Sequence, residues 1–396
     1  MYILFIFVFC AVGINCQVDF SDRPRNFSVV LVHHTAVEAG GHVVISPFGI
    51  WTLMTGVALG ASGNSYEELR SAFILPRSEK ALLRGYKSIT GRVLKTGTTD
   101  VSLVSKNYMF LDDDFEISPD FRRTIIFDFE AVIKVLDFND PTTAARLANN
   151  YISNSGAKVT NVLTSDDFME ARMILTNVIS FKGLWGLPFN RNDTAVEPFY
   201  GEDGSVIGEV NMMYQKSQFP FANIKQTGAF ALELPYGSNG KYSMLILLPS
   251  PGKTVMDTYR TLATFTINDI LERLANDTQK YGLEDVEVRI PRFKISTNVV
   301  LNKPLDKMGV RDIFEPRAAN FARVTRESIY VSAIVHKADI EVTESGTVAS
   351  ASTSAVFADR ISAPSYVANR PFIYFVMEKT TTTIIFGGIY SKPTVY

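Results

Sequence analysis

The sequence predicts one large domain of mixed α/β class, because helical and strand patterns are both abundant and no linker separates them. The chain has 396 residues, of which 46% are hydrophobic and 12% aromatic, which is enough to bury a sizeable core. Length alone would suggest two or three domains. No Pro-, Gly- or Ser-rich stretch divides the chain into such units, so the sequence favours one.

The first half of the chain is mostly helical in pattern. Asp22 to Glu38 predicts a helix, and a short strand from Val43 leads into a helix at residues 49–61 that is apolar all round. Ser65 is followed three residues later by Glu68, which predicts a capping box that opens the next helix. Further helices are predicted at 79–95, from Pro119 onward and at 141–153, with a strand at 101–111.

The second half is richer in strand patterns. Residues 171–189 are apolar without alternation, which predicts a central strand that is buried on both faces. A helix through Leu305 is expected to end at Gly309, and residues 384–389 predict a last strand. The other predicted strands are 208–216, 227–235, 241–249 and 285–295.

The N-terminus predicts a secretory signal peptide. Residues 2–14 are almost wholly apolar and end near small residues, which predicts cleavage after Gly13 or Cys16. Residues 1–16 are assigned to the signal and 17–396 to the domain. The alternative is a buried N-terminal strand. The apolar run is too short to span a membrane, and no later stretch of 18 apolar residues follows. The chain is therefore expected to be secreted and extracellular, without a membrane partner.

Cysteine, charge and glycosylation patterns fit that expectation. The two cysteines, Cys10 and Cys16, lie in or beside the signal, and if cleavage follows Cys16 the mature chain has no disulfide and no thiolate metal site. A net charge of −2 argues against general nucleic-acid binding. Asn-x-Ser/Thr triplets predict glycosylation at Asn26, Asn192 and Asn276.

No enzymatic motif is present in the sequence. His-Glu-x-x-His, Gly-x-Ser-x-Gly and phosphate-binding glycine loops are all missing. The adjacent His33 and His34 would face different sides of a helix, which makes them poor joint ligands. We therefore predict no catalytic activity, no cofactor and no metal.

The segment 344–365 carries the most informative pattern. From Thr347 to Phe357 every second residue is small or apolar, while the residues between them are mostly hydroxyl-bearing. This alternation with period two is typical of a strand with one buried face, whereas the alternative is a flexible Ser-rich linker. Eleven residues added to a sheet would span roughly 35 Å. The segment is thus predicted to be either an exposed loop or an inserted strand.

Several ordered blocks of this sequence resemble the serpin family, over roughly residues 22 to 393. The blocks are Ile45-Ser46-Pro47, Leu59-Gly60-Ala61, Asn177-x-x-x-Phe181-Lys182-Gly183-x-Trp185, Ile290-Pro291-Arg292-Phe293, Glu344-x-Gly346-Thr347 and Asn369-Arg370-Pro371-Phe372. The resemblance implies a fold with three β-sheets, about nine helices and an exposed reactive loop at about 344–365. It also implies a monomer that inhibits a target protease by forming a covalent complex with it while the cleaved loop inserts into the main sheet.

The resemblance assigns roles to named residues. The hinge of the loop would comprise Glu344, Gly346, Thr347, Ala349 and Ala351. Ser46, Asn177 and His336 would form a hydrogen-bonded cluster that controls sheet opening, with a buried core histidine of no special role as the alternative. Trp185 would lie where the loop first inserts, and Arg292 would pair with Glu344. The family usually has a second serine where Gly49 stands in this chain.

The cleaved bond is expected at Arg360-Ile361, since the usual family spacing is sixteen residues after Glu344. Arginine before the cut suits a trypsin-like serine protease, whose specificity pocket holds an acid. The alternative bond is Ala358-Asp359, with Phe357 in the hydrophobic subsite that papain-like cysteine proteases favour. Val348, Ser350 and Ser352 depart from the usual Ala-rich hinge, so a non-inhibitory carrier or storage role stays open.

One basic helix raises the possibility of a polysaccharide partner. The helix predicted at 79–95 carries Lys80, Arg84, Lys87, Arg92 and Lys95 largely along one side. In some serpins a helix at this place binds sulfated polysaccharide. The alternative is a solvated charged face without a ligand.

Overall fold

The computed structural model describes residues 19–156, 159–346 and 364–395. The α-helices within these ranges are α1 (Asp22–Glu38), α2 (Pro47–Ala58), α3 (Gly63–Ala72), α4 (Glu79–Leu94), α5 (Pro119–Phe127), α6 (Pro141–Ser153), α7 (Val255–Thr261), α8 (Ile267–Tyr281) and α9 (Asn302–Lys307). The strands are β1 (Val43–Ile45), β2 (Val101–Asp112), β3 (Val132–Leu136), β4 (Met173–Gly183), β5 (Ala195–Tyr200), β6 (Val206–Phe219), β7 (Phe221–Ile224), β8 (Ala229–Tyr236), β9 (Tyr242–Pro249), β10 (Glu284–Val300), β11 (Ala333–Val342), β12 (Ser365–Val367), β13 (Phe372–Glu378) and β14 (Thr383–Tyr390).

The apolar helix α2 lies at the centre of the molecule. All of its residues are buried, and it packs against β2, β4 and β14, so it bridges both sheets. Ser46 is its N-cap, and its hydroxyl accepts a hydrogen bond from the Gly49 N–H at 3.2 Å. Pro47 occupies the first turn, where its missing N–H costs nothing.

One sheet has six strands, in the order β1-β14-β13-β9-β8-β7, and every neighbouring pair in it is antiparallel. Strands β9, β13 and β14 are buried at every residue. Their continuous apolar runs fit this position, because both faces of the sheet are covered.

The other sheet has eight strands, in the order β3-β2-β4-β11-β10-β6-β5, with β12 also paired to β10. The long strand β10 explains why three expected sheets appear as two hydrogen-bonded networks. Its first part pairs with β6 and β12, and its second part pairs with β11, so one continuous strand joins two of the expected sheets. The mixed α/β fold itself is confirmed.

Two local expectations differ from the structure. Helix α3 begins at Gly63 with Ser62 as N-cap, whereas Ser65 lies inside the helix and accepts a hydrogen bond from the Asn320 N–H at 3.0 Å. The capping box predicted at Ser65 is therefore wrong. Helices α7 and α8 were not predicted, although Thr254 and Thr266 each open one of them with a capping box that includes an aspartate three residues later. Among the described residues, no helix is both long and apolar enough to span a membrane.

Candidate functional site

The site is built around the boundary between β4 and β11, which we call the seam. These neighbours run parallel and pair from Ala333–Ile174 to Asp339–Ser180. Each is antiparallel to its outer neighbour, β2 for β4 and β10 for β11. Beyond the last seam pair, β4 continues to Gly183 and β11 to Val342, so the two strands end beside one another without a shared register there.

A tight turn at Thr343–Gly346 reverses the chain at this end of the seam. The Thr343 N–H donates to the Gly346 carbonyl at 2.9 Å, and the Gly346 N–H donates back at 3.1 Å. Gly346 has φ +115°, a conformation that side chains rarely adopt, and a Cβ there would lie 2.3 Å from the carbonyl oxygen of Gly183. Glycine is therefore required at this position, and the chain at Gly346 runs antiparallel to Thr343 and to Leu184.

The turn already makes antiparallel contacts with the chain that follows β4. Leu184 forms an antiparallel bridge with Gly346. The Trp185 N–H donates to the Ser345 carbonyl at 3.0 Å, and the Phe189 N–H donates to the Glu344 carbonyl at 2.7 Å. We call these contacts, together with Glu344 and its partners, the hinge site.

Trp185 forms the wall of the hinge site. Its indole N–H donates to the Thr343 carbonyl at 2.9 Å, and its ring stacks on Tyr236 at a centroid distance of 4.3 Å. The side chain is buried, so the stacking and the hydrogen bond both operate away from water. The structure thus places Trp185 directly against the turn.

Glu344 is buried and held by two partners. Its Oε1 accepts from the Thr194 hydroxyl at 2.9 Å and lies 3.3 Å from a guanidinium nitrogen of Arg292. Both members of the ion pair are largely shielded, with side-chain exposures of 19% for Arg292 and 9% for Glu344. The role of Thr194 could not be predicted from sequence, because a single hydroxyl more than a hundred residues from its partner carries no local signal.

A buried polar cluster lies in the middle of the seam. The backbone N–H of Ser46 donates to His336 Nε2 at 2.8 Å, and the Ser46 hydroxyl donates to the Ile385 carbonyl at 2.6 Å. These bonds tie β11 to the start of α2 and to β14. Because Nε2 accepts a hydrogen bond, the neutral imidazole carries its proton on Nδ1.

His336 is fully buried, and burial lowers the pKa of its imidazole to about 4, with a smaller opposing contribution from the Asn177 backbone. The ring is thus neutral at neutral pH. Asn177 is its partner across the seam and is also fully buried. The side chain of Asn177, however, donates to Asn107 Oδ1 on β2 at 2.7 Å, away from Ser46.

Other expected sites are only partly within the described residues. The Arg360-Ile361 bond, the alternative at Phe357, Ala358 and Asp359, and the hinge residues Thr347, Ala349 and Ala351 lie outside them. Asn192 and Asn276 are exposed, and Asn26 is half-buried on α1. The four basic residues Lys80, Arg84, Lys87 and Arg92 of α4 and the following Lys95 are all exposed, and Lys87 pairs with Asp128 at 2.6 Å.

One acidic group could hold a cation in principle. Asp112, Asp113 and Asp114 bring their carboxylates within 4.8 Å of one another. The Arg172 guanidinium already lies 2.9 Å from Asp112 and 3.0 Å from Asp114, so it supplies the positive charge that these carboxylates need. We assign no metal to this group.

The chain is similar to known proteins over nearly its whole length. A family profile described as "Serpin (serine protease inhibitor)" matches residues 22–393. The leukocyte elastase inhibitor of Bos taurus is 32% identical over 368 residues, which cover 91% of this chain and 95% of that protein. Antithrombin-III of Homo sapiens is 29% identical, with coverage of 95% and 82%.

Solved structures give the same result for the fold. A native protease nexin-1 with heparin is 26% identical, with a TM-score of 0.81, and the match covers 94% of this chain and 99% of that one. A human thyroxine-binding globulin complexed with its hormone has a TM-score of 0.80 at 21% identity, with coverage of 95% and 98%. The second match concerns the fold alone.

Proposed function

The chain belongs to the serpin family, and from that premise we propose that it inhibits an endopeptidase by trapping it covalently. The target would be a trypsin-like serine protease that cleaves Arg360-Ile361. Relatives named as protease inhibitors support this class of function, and an inhibitor of this kind acts as a substrate rather than as an enzyme.

One observation carries the proposal: the seam is a parallel strand pair, and the turn after β11 ends at Gly346, which runs antiparallel to Leu184 just beyond β4. A strand extending from Gly346 between β4 and β11 would be antiparallel to both. Two antiparallel pairings would replace one parallel pairing, and antiparallel pairs are slightly more stable per residue. The alternating run 347–357 is as long as β4, which has 11 residues.

The chemistry of trapping follows from serine protease catalysis. The protease serine oxygen attacks the carbonyl carbon of Arg360, and its proton passes through the protease histidine to the leaving nitrogen of Ile361. The peptide bond breaks, and an ester joins Arg360 to the protease. If residues 347–357 then enter the seam, the ester travels on the order of 35 Å before water can hydrolyse it.

The buried cluster would control when the seam opens. Buried polar groups need hydrogen-bond partners in both the closed and the opened sheet. As the strands separate, Ser46, Asn177 and His336 must therefore either exchange their hydrogen-bond partners or move together with them. We assign the hinge site, with Trp185, Glu344 and Arg292, to the first step of insertion, since the turn already contacts the end of β4 there.

Secretion, glycosylation and polysaccharide binding are also part of the proposed function. The protein would be secreted as a monomer after loss of residues 1–16, with glycans on the predicted asparagines. The exposed basic side of α4 could bind a sulfated polysaccharide, and the heparin-bound structural relative adds support. An unchanged rate of inhibition with added heparin would remove that partner from the proposal.

Incubation with trypsin and with a cathepsin L-type enzyme tests the proposal. We expect a denaturant-resistant complex with trypsin and a released peptide that begins at Ile361. A trapped cathepsin with cleavage near Phe357 would instead assign the inhibitor to cysteine proteases. Clean cleavage without loss of protease activity would show that the departures at Val348, Ser350 and Ser352 have removed inhibition.

A carrier role is the second candidate, favoured by one cavity. A cavity of about 110 Å³ lies between α1 and the segment from α7 to α8. Its lining includes the apolar side chains of Val30, Tyr259 and Ile267, and also Arg25. Because the Arg25 guanidinium already pairs with Asp22, the apolar wall suits a small, largely apolar ligand. Saturable binding of anilinonaphthalene sulfonate that a Val30→Trp variant loses would support this role, and equal binding by both proteins would exclude it.

A further inference from the structure

A further cavity lies away from the seam, beside the last turn of α8. Its volume is about 200 Å³, and it lies between that turn and β7, the edge strand of the six-stranded sheet. Its lining includes Phe221 and Asn223 of β7 and Asp277, Thr278 and Tyr281 of α8. We call it the α8 cleft. Its volume exceeds what a single water molecule needs and is smaller than a typical site for a drug-sized molecule, so it suits a small ligand.

Two aromatic rings give the α8 cleft apolar surface. Tyr281 is 64% exposed, so its ring is open to a ligand. Phe221 is half-buried and held in place by two neighbours. Phe230 stacks on it at a centroid distance of 6.2 Å, and Tyr366 meets it in a T-shaped arrangement at 6.1 Å. The cleft thus offers one fixed and one exposed ring, which suits a ligand with an apolar face.

The groups in the cleft that would attract a cation already have one. The carboxylate of Asp277 pairs with Arg273 Nε at 2.8 Å. The ammonium of Lys280 lies 4.9 Å from the centroid of the Tyr281 ring, so that ring already carries a cation. A cationic ligand would have to displace these side chains, and an anionic ligand would meet the Asp277 carboxylate. A neutral ligand fits these charges best.

We propose that the α8 cleft binds a neutral saccharide, with an N-acetylhexosamine as the expected unit. A pyranose ring has C–H groups on its faces, which pack on aromatic rings, and hydroxyls around its rim, which hydrogen-bond to groups such as Asp277, Asn223 and Thr278. These hydroxyls also replace the water of a polar cavity without loss of hydrogen bonds. The acetamido group adds a methyl group and an amide, which suits a lining that mixes apolar rings with polar side chains. The site does not depend on protease inhibition, and it differs from the basic side of α4, which would select sulfate groups by charge.

The saccharide has two sources, and one of them is the chain itself. Asn276 is exposed, is a predicted glycosylation site and immediately precedes the lining residues Asp277 and Thr278. A glycan on Asn276 would therefore begin beside the cleft, whereas a glycan of another molecule would bind from solution. Asn276→Gln removes the first source and leaves the lining of the cleft unchanged.

Substitutions of Tyr281, made together with Asn276→Gln, test the role of the exposed ring. Tyr281→Ala removes the ring and should weaken saccharide binding at least about tenfold, whereas Tyr281→Trp keeps an aromatic face and should retain binding. Because Tyr281 is largely exposed, neither variant should change the unfolding temperature. Tyr151→Ala is the matched control. Tyr151 is also an exposed helical tyrosine, with Lys134 Nζ 4.2 Å from its ring centroid, but it does not line the cleft.

The test titrates the intact protein with the methyl glycoside of N-acetylglucosamine and follows binding by saturation-transfer difference NMR. We expect a Kd of about 1 mM, an affinity typical of so small a ligand. Binding by both wild type and Asn276→Gln would assign the cleft to a saccharide of another molecule, and binding by Asn276→Gln alone would assign it to the chain's own glycan.

Three results would overturn the inference: no saturable binding by either protein, undiminished binding by Tyr281→Ala, or equal weakening by Tyr281→Ala and Tyr151→Ala. Trapping of protease is measured separately, so failure of saccharide binding would leave the proposed function standing.

Discussion

The two sheets of this molecule are held together in different ways. The six-stranded sheet is antiparallel throughout, and three of its strands are buried at every residue. The eight-stranded sheet contains the parallel seam, where fully buried Thr176, Asn177 and His336 lie among apolar residues. The six-stranded sheet is antiparallel at every strand pair. The eight-stranded sheet has buried polar groups at a parallel boundary, where a further strand would fit.

The difference has an energetic meaning. Within the described residues, Thr176 Oγ1 and Asn177 Oδ1 have no hydrogen-bond partner, although both side chains are fully buried. Each such group costs about 1–3 kcal/mol relative to a satisfied one. The six-stranded sheet has a similar group in Ser243 Oγ on β9, but the seam has two of them at adjacent positions of one strand. Rearrangement should therefore be favoured at the seam.

The largest effect is expected from a charge on the inserting face of the loop. Thr347→Arg would place a guanidinium on the face that insertion buries, so the protein should be cleaved without trapping protease, and the stoichiometry of inhibition should rise at least about tenfold. Ser350→Arg, on the alternate face, is the matched control and should inhibit nearly as wild type does. Trapping by Thr347→Arg at wild-type stoichiometry would contradict insertion.

Substitution in the core of the six-stranded sheet should lower the global stability of the protein. Leu247 of β9 is fully buried, so Leu247→Ala should lower the free energy of unfolding by about 2–5 kcal/mol. The reason is the lost apolar contact and the cavity that remains. Denaturant unfolding measures the change. A loss of less than about 1 kcal/mol in the free energy of unfolding would show that packing in the six-stranded sheet does not govern global stability.

Acid should weaken the seam through His336. The unfolded chain takes up a proton below about pH 6.5, whereas burial delays protonation of the folded His336 until about pH 4, so stability falls as pH falls through that window. The shift from 6.5 to about 4 corresponds to roughly 3 kcal/mol at most.

The burial of His34 and His42 also lowers their pKa values to about 4, so the wild-type slope alone is not decisive. Unfolding of wild type and His336→Gln should be compared between pH 4 and 7. The variant should show a shallower decline of stability below pH 6.5, and an identical decline would remove His336 from this account.

The smallest effect is expected from removing an unpartnered hydroxyl at the seam. Thr176→Val keeps the shape of the side chain and deletes Oγ1, so the closed form should gain about 1 kcal/mol. Uptake of a synthetic peptide with the sequence of residues 347–357 by the intact protein should slow accordingly. Thr258→Val, which deletes another buried hydroxyl without a described partner but lies on α7, should stabilise without slowing uptake. Faster uptake by Thr176→Val would contradict stored free energy at this residue.

Local patterns predicted most helices and strands, because apolar periodicity and capping residues act over a few neighbours. Helix α1 begins and ends at the predicted residues, and Gly346, which the sequence assigns to the hinge, has a positive φ. The hydrogen bonds that join Asn177, Asn107 and Thr52 could not be predicted, since these residues are far apart in the chain and meet only through the packing of α2 under the sheet. The continuous path of β10 through two of the expected sheets could not be predicted either, because it depends on pairing with the distant strands β6, β11 and β12.

The most direct test of the central claim is the thermal stability of the protein before and after cleavage within residues 358–361. If the cleaved loop enters the seam, eleven residues gain backbone partners on both sides, and the unfolding temperature should rise by more than about 10 °C. An unchanged or lower unfolding temperature after complete cleavage would show that the seam admits no strand and would contradict the account.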